Sequence, residues 1–247
     1  MILELDCGNS LIKWRVLSCN TQRVEGEGAA SDEVGLVEQL DGTLSEAPHM
    51  VRLVSVRGES ETAGLIARLG TIYPGRILLA QSAHMLAGVT SGYLEPSRLG
   101  ADRWLAVVAA FSLSQAACLV LDIGTAITAD YVDSSGLHLG GFICPGLGLM
   151  RKQLGGHTRR IRYEASSEVG VCAPGRTTAQ AVERGTELMM RGFIDTQIRQ
   201  ARDMFGDKCR IILTGGDAAM VLPYVPEAEF VRDLVFRGLA IACPAEG

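Results

Sequence analysis

A chain of 247 residues with 47% hydrophobic and 21% charged side chains can bury a substantial core, which excludes a disordered polypeptide and suits one large or two ordinary domains. A formal net charge of −5 argues against general nucleic-acid binding, which rests on Lys and Arg neutralising phosphates. Seven cysteines, with no Cys-x-x-Cys pair and no histidine at zinc-ligand spacing, are expected as reduced, mostly buried thiols; no apolar run reaches the roughly 18 residues of a membrane span, and Met1–Asp6 lacks a leader's basic-then-apolar order, so a soluble cytoplasmic protein is expected.

Ile2 to Trp14 predict strand, tight turn, strand. Gly8 in the turn lets backbone N–H groups approach a phosphate closely, while Asn9 and Ser10 add donors. Asp6, just before the turn, is available to a metal ion or its waters. Residues 16–30, with Gly26 and Gly28, suit a meander or loop. Ser31 to Leu40 reads as a helix that Ser31 can cap. A strand at 50–56, a helix at 62–69 and a strand at 76–80 imply a parallel α/β unit. The segment from Gly88 to Trp104 leads into an apolar helix, 105–113. Asp102 stands near its start, where an acid commonly complements the helix dipole, so a structural role stands beside a catalytic one.

Residues 117–130 repeat the first pattern: Asp122 lies over Asp6, Gly124 over Gly8 and Thr125 over Asn9, 116 positions later. The recurrence suggests a duplicated domain, residues 1–115 and 116–247, whose halves could clasp a nucleotide between them. A strand over 137–146 ends in Pro145-Gly146, and its double glycine, Gly140-Gly141, permits close backbone approach or simple turning. A helix follows at 147–154, then the basic run Arg159-Arg160-Ile161-Arg162, read as solvated surface. Thr177 or Thr178 caps a helix reaching about Met204, and one of them could also offer its hydroxyl to a substrate. Residues 210–214 form a strand ending in Gly215-Gly216 and opening a helix, a corner where a nucleobase or ribose can lie against bare backbone. Residues 234–242 read as a packing helix.

Six elements run in order across nearly the whole chain: Asp6-Cys7-Gly8-Asn9-Ser10 with Lys13; Tyr93 ahead of Leu99-Gly100-Ala101-Asp102-Arg103-Trp104; Asp122-Ile123-Gly124-Thr125-Ala126; Gly140-Gly141 with Pro145-Gly146; Thr178 ahead of Ala181; and Thr214-Gly215-Gly216-Asp217. Together they resemble the superfamily of actin, heat-shock chaperone ATPases and sugar or acetate kinases, an α/β architecture of duplicated ribonuclease H-like domains with a nucleotide cleft between them. Within it the chain is similar to the type III pantothenate kinases, to which the Gly100 to Arg103 element is specific. Cys7 replaces a more usual aliphatic residue, Ser10 a common threonine and Thr177 a frequent asparagine.

The resemblance implies transfer of the ATP γ-phosphoryl group to the primary hydroxyl of pantothenate, with Asp102 orienting and deprotonating that hydroxyl. It implies ATP contacts from Asp6, Cys7, Gly8, Asn9, Ser10, Leu11, Ile12, Lys13, Thr125, Gly215 and Gly216, with Mg²⁺ held by Asp6 through water. Asp122 would hold a monovalent cation, K⁺ or NH₄⁺. Tyr93, Gly100, Ala101, Asp102, Arg103 and Thr178 would meet pantothenate, and the chain would be a homodimer with no nucleic-acid or membrane partner. A sugar or acetate kinase would be much longer and lack the Gly100 to Trp104 element. A nucleotide-binding regulator without catalysis would be favoured by loss of Asp6, Asp102 or Asp122, and all three are present.

Overall fold

Strand β1 (Ile2–Cys7) pairs antiparallel with β2 (Ile12–Leu17), bringing Asp6 opposite Lys13, in a computed structural model that describes residues 1–19, 21, 23–157 and 173–245. Strand β3 (Val24–Ala30) follows and completes an antiparallel meander, one of the two alternatives expected for residues 16–30. Its glycines answer to packing: a side chain on Gly28 would enter the indole of Trp14, whose Nε1 donates to Gln39 at 2.8 Å. Next come α1 (Glu33–Asp41), β4 (Met50–Ser55), α2 (Glu59–Ile72) and β5 (Arg76–Ala80). A small hairpin of β6 (Met85–Leu86) and β7 (Val89–Thr90), then a 3₁₀ turn at Pro96–Arg98, leads into α3 (Ala101–Ser114). Asp32, not Ser31, caps α1 by accepting from Gly35 N at 2.8 Å. Helix α3 starts four residues ahead of the expected Leu105, which puts Asp102 inside its first turn.

The second hairpin joins β8 (Cys118–Ile123) to β9 (Ala126–Val132), and β10 (His138–Pro145) pairs with β9. Helices α4 (Leu147–His157) and α5 (Thr178–Phe205) precede β11 (Arg210–Thr214) and β12 (Glu229–Phe230). Thr177 is the residue that caps α5, its hydroxyl accepting from Gln180 N at 3.2 Å. The helix expected after Gly215-Gly216 is instead two 3₁₀ turns, Ala218–Met220 and Leu222–Tyr224, the second with Pro223 near its start. The basic run at 159–162 and Cys172 lie outside the described residues. The six described cysteines are free thiols, of which Cys7, Cys118, Cys209 and Cys243 are buried.

The two sheets have the same plan. Their strand orders are β3-β2-β1-β4-β5 and β10-β9-β8-β11-β12, each with two antiparallel pairings on one side of the first strand and two parallel pairings on the other. In the first, Leu3, Leu5, Cys7, Ile12 and Trp14 share one face with Leu36, Leu40, Leu65 and Leu69 from the helices. In the second, Leu119, Leu121, Ile123 and Tyr131 pack on Met190, Ile194 and Ile198, spaced one helical turn apart along α5.

Helix α6 (Leu234–Ala242) departs from the sequence expectation for 116–247. The chain divides into Met1–Leu113 with Asp233–Gly247 and, separately, Ser114–Arg232, so the last helix belongs to the first unit. The cause is a buried charge cluster. Glu4 faces Arg15 and Arg52 across β1, and Arg52 Nε donates to Glu4 Oε1 at 2.6 Å. Arg15 continues to Asp233 and Arg52 to the carbonyl of Cys243, both at 2.9 Å. Gly238 in turn lies so close to the backbone of Leu105 that a Cβ would overlap it.

Candidate active site

In the first unit the alternation of β1 puts Leu5 and Cys7 in the core and sends Asp6, with Glu4, to the other face. Cys7 and Ile12 are both 0% exposed, so neither side chain is available to a ligand. Asn9, Ser10, Leu11 and Lys13 are exposed. The turn is tied at three points: Gly8 N donates to Leu11 O at 3.0 Å, Val56 N donates to Cys7 O at 3.1 Å, and Arg57 Nε donates to Gly8 O at 2.9 Å. Arg57 belongs to no sequence motif, and nothing in its neighbourhood in the chain signalled this contact.

Lys13 Nζ stands 4.0 Å from Asp6 Oδ2. Burial pushes the Asp6 carboxyl up to about 6, Lys13 pulls it back down, and the charge of Asp102 pushes it up further. The two carboxylates therefore share one electrostatic environment. Burial, with the neighbouring Asp6 charge, pushes the Cys7 thiol up to about 12, which keeps it protonated and unreactive.

The start of α3 shapes the second carboxylate. Gly100 O accepts from Trp104 N at 2.9 Å, and Asp102 Oδ1 accepts from Arg103 N at 2.7 Å. The acid thus does serve the helix terminus, and the same position brings it within electrostatic reach of Asp6. A Cβ at Gly100 would stand 2.9 Å from Asp102 Oδ1, so the glycine makes room for the carboxylate. Arg103 is buried; its Nη1 donates to Tyr93 OH at 2.8 Å and its guanidinium lies 5.7 Å from that ring. A cavity of about 680 Å³ opens beside this segment, walled by Ser55, Arg57, Ser82, Leu99, Gly100 and Ala101.

In the second unit Asp122 is the penultimate residue of the corresponding strand, opposite Thr128. Main-chain bonds tie its turn: Gly124 N donates to Ala126 O at 3.1 Å, Gly146 N to Thr125 O at 2.9 Å, and Asp217 N to Ile123 O at 2.9 Å. Gly215 has φ +102°, and a Cβ there would run into the backbone of Ile123 and the carboxylate of Asp122. A Cβ on Gly146 would overlap Gly124 O. Asp122, Thr125 and Gly215 are thus neighbours, with Gly216 exposed at the same corner; Thr178 lies elsewhere in the unit, exposed at the start of α5.

Among the described residues no three His, Cys, Asp or Glu side chains converge into a metal cage. The donors that exist are hard oxygens. A desolvated Asp6 carboxylate beside a second one fits Mg²⁺ that keeps its waters and phosphate ligands. At Asp122, a carboxylate among main-chain groups suits a hard cation rather than a soft transition metal.

A family model described as type III pantothenate kinase matches residues 2–200. Relatives carrying that description include one from Pseudomonas paraeruginosa, 53% identical over 249 residues and covering 100% of both chains. Another, from Azotobacter vinelandii, is 52% identical over 250 residues and covers 99% of both. Among solved structures, a Campylobacter jejuni protein described as a Baf family transcriptional activator superimposes with a TM-score of 0.60 at 20% identity, covering 96% of this chain and 94% of its own. A 2-dehydro-3-deoxygalactonokinase protein from Sinorhizobium meliloti gives 0.54 at 15% identity, covering 99% and 100%. These two likenesses show the fold alone.

Proposed function

This chain belongs to the type III pantothenate kinase family and catalyses ATP-dependent phosphorylation of pantothenate in coenzyme A biosynthesis, and we propose that the acceptor chemistry turns on Asp102. The observation that carries this is the carboxylate pair: Asp102 lies near enough to Asp6 to raise its pKa, with Gly100 leaving its Oδ1 room.

Phosphoryl transfer passes through a loose transition state, so the protein aligns oxygens and neutralises charge rather than forming covalent bonds itself. Asp102 accepts a hydrogen bond from the primary hydroxyl of pantothenate and orients it in line with the γ-phosphorus. It takes the proton as the new O–P bond forms and the bond to the ADP oxygen breaks. A carboxylate is a weak base, so its value lies in position. Asp6 would hold Mg²⁺ through water; when bound, that ion supplies charge neutralisation at the phosphate oxygens. Asp122 would hold K⁺ or NH₄⁺.

Phosphate contacts fall to Gly8, Asn9, Ser10, Lys13 and Thr125, and the adenosine to the Gly215-Gly216 corner. Tyr93, Gly100, Ala101, Arg103 and Thr178 line the pantothenate site, where a guanidinium suits the substrate carboxylate. A cytoplasmic homodimer that binds neither nucleic acid nor membrane completes the reading; among the described residues no helix is long and apolar enough to cross a membrane. The test is a coupled assay for ADP release by purified protein. Turnover that requires both pantothenate and K⁺ is expected, and turnover on another small alcohol with none on pantothenate overturns the substrate.

A further inference from the structure

The contact between Arg57 and the first turn is not explained by packing. The main chain of Arg57 is fixed before its side chain acts: its N–H donates to Ser55 Oγ at 3.2 Å, and Ser55 Oγ lies 2.7 Å from Thr62 Oγ1 in α2. From this support the half-buried side chain reaches back across 49 residues to donate Nε–H to Gly8 O at 2.9 Å. Gly8 O belongs to the peptide that links Gly8 to Asn9. In a trans peptide the C=O and N–H point in opposite directions, so fixing Gly8 O toward Arg57 turns the Asn9 N–H away from it. Asn9 is exposed, and Gly8 N–H is already committed to Leu11 O, which leaves the Asn9 amide as the donor whose direction Arg57 sets.

We propose that Arg57 is a positioning residue for phosphate binding: its single hydrogen bond to Gly8 O holds the Asn9 N–H outward, ready to donate to a phosphate oxygen of the nucleotide. A preset donor binds an anion without first ordering the turn, and a charge-assisted hydrogen bond is strong enough to hold a glycine peptide in one orientation. Hence the effect falls first on nucleotide affinity. This inference rests on the kinase reading for the identity of the anion.

The experiment is calorimetric titration of the full-length protein with MgATP, with no acceptor present, on wild type, Arg57→Ala and Arg57→Lys. Arg57→Ala should weaken ATP binding about tenfold, and Arg57→Lys, whose ammonium can reach Gly8 O, should recover most of the loss. In steady-state assays the KM for ATP should rise in Arg57→Ala by a larger factor than the KM for pantothenate. Wild-type affinity in Arg57→Ala, or equal loss in both variants, overturns the proposal. If Arg57→Ala does not fold, Arg57→Met keeps the bulk of the side chain without a donor and takes its place under the same criteria. Absence of pantothenate turnover by the wild-type protein would instead overturn the substrate assignment and leave this binding comparison standing.

Discussion

The turn after β1 adds a side-chain tether, Arg57 on Gly8 O at 2.9 Å, to its main-chain bonds from Gly8 to Leu11 O and from Val56 to Cys7 O, whereas the turn after β8 is tied by the main-chain donors Gly146 on Thr125 O and Asp217 on Ile123 O, both also at 2.9 Å. The same strand order therefore carries two kinds of tether. A side-chain tether tolerates change in the glycine it holds: a Cβ on Gly8 would meet Leu11 O at 3.3 Å, a contact that a small shift relieves. The second turn needs glycine beside it, because Gly146 and Gly215 sit where any Cβ would overlap a neighbouring peptide. The first unit also gathers the coupled carboxylates Asp6 and Asp102. One turn is thus tunable and, on the proposed role of Asp102, close to the acceptor chemistry, and the other admits no side chain at Gly146 or Gly215 beside it.

The largest expected effect sharpens that assignment of chemistry to the first unit. Asp102→Asn keeps the acceptor for Arg103 N and the shape of the helix terminus but cannot take a proton, so kcat should fall at least about a hundredfold with the melting temperature nearly unchanged. Near-wild-type kcat in the coupled assay would return Asp102 to the helix terminus alone. The next effect bears on rigidity. Gly215→Ala forces both a φ of +102° and a backbone overlap, and should cost about 3 kcal/mol of stability in urea unfolding, while Gly8→Ala costs less than about 1 kcal/mol. Equal losses in the two variants would remove the distinction between the turns.

Both hairpins were legible in the sequence because a period-2 apolar pattern and an Asp-x-Gly turn are local signals, and the family and fold that they suggested are those found. What was illegible is contact at a distance. Gly26 and Gly28 left meander and loop both open because nothing local says that Trp14 will lie over them. Residues 233–247 read as part of the second half because the buried Glu4, Arg15 and Arg52 cluster assembles only when three strands come together. Of the site, Asp102 stood out through a family-specific run, whereas Arg57 acts 49 residues away from its partner and carries no pattern.

The pH behaviour of Asp6 gives a smaller effect. Its pKa rises from 3.8 to about 6 on folding, so the native state binds the extra proton between those values. The associated stability is fully present below pH 3.8 and lost as pH climbs through about 6. In the ligand-free protein Asp6→Asn should therefore gain about 2 kcal/mol over wild type at pH 8 and almost nothing at pH 4, measured by urea unfolding. The gain is the counterpart of a ligand role, because the same variant should lose MgATP affinity. In the wild type, protonation should compete with MgATP below about pH 6, raising KM there. A pH-independent stability difference would mean that the Asp6 carboxylate is not desolvated in the free enzyme.

The smallest expected effect separates two adjacent hydroxyls. Thr177 accepts from Gln180 N at 3.2 Å and so completes the first turn of α5, while Thr178 is the exposed first residue of that helix. Loss of an N-cap costs about 1 kcal/mol, so Thr177→Ala should lower the melting temperature by a few degrees. Thr178→Ala should leave it in place and raise the KM for pantothenate. Because the hydroxyl of Thr177 already serves the helix, the division of labour follows from which oxygen the helix N–H groups use. If Thr177→Ala changes KM and Thr178→Ala does not, the capping hydroxyl is the one that meets the substrate, and the pantothenate contact moves one residue toward the N-terminus.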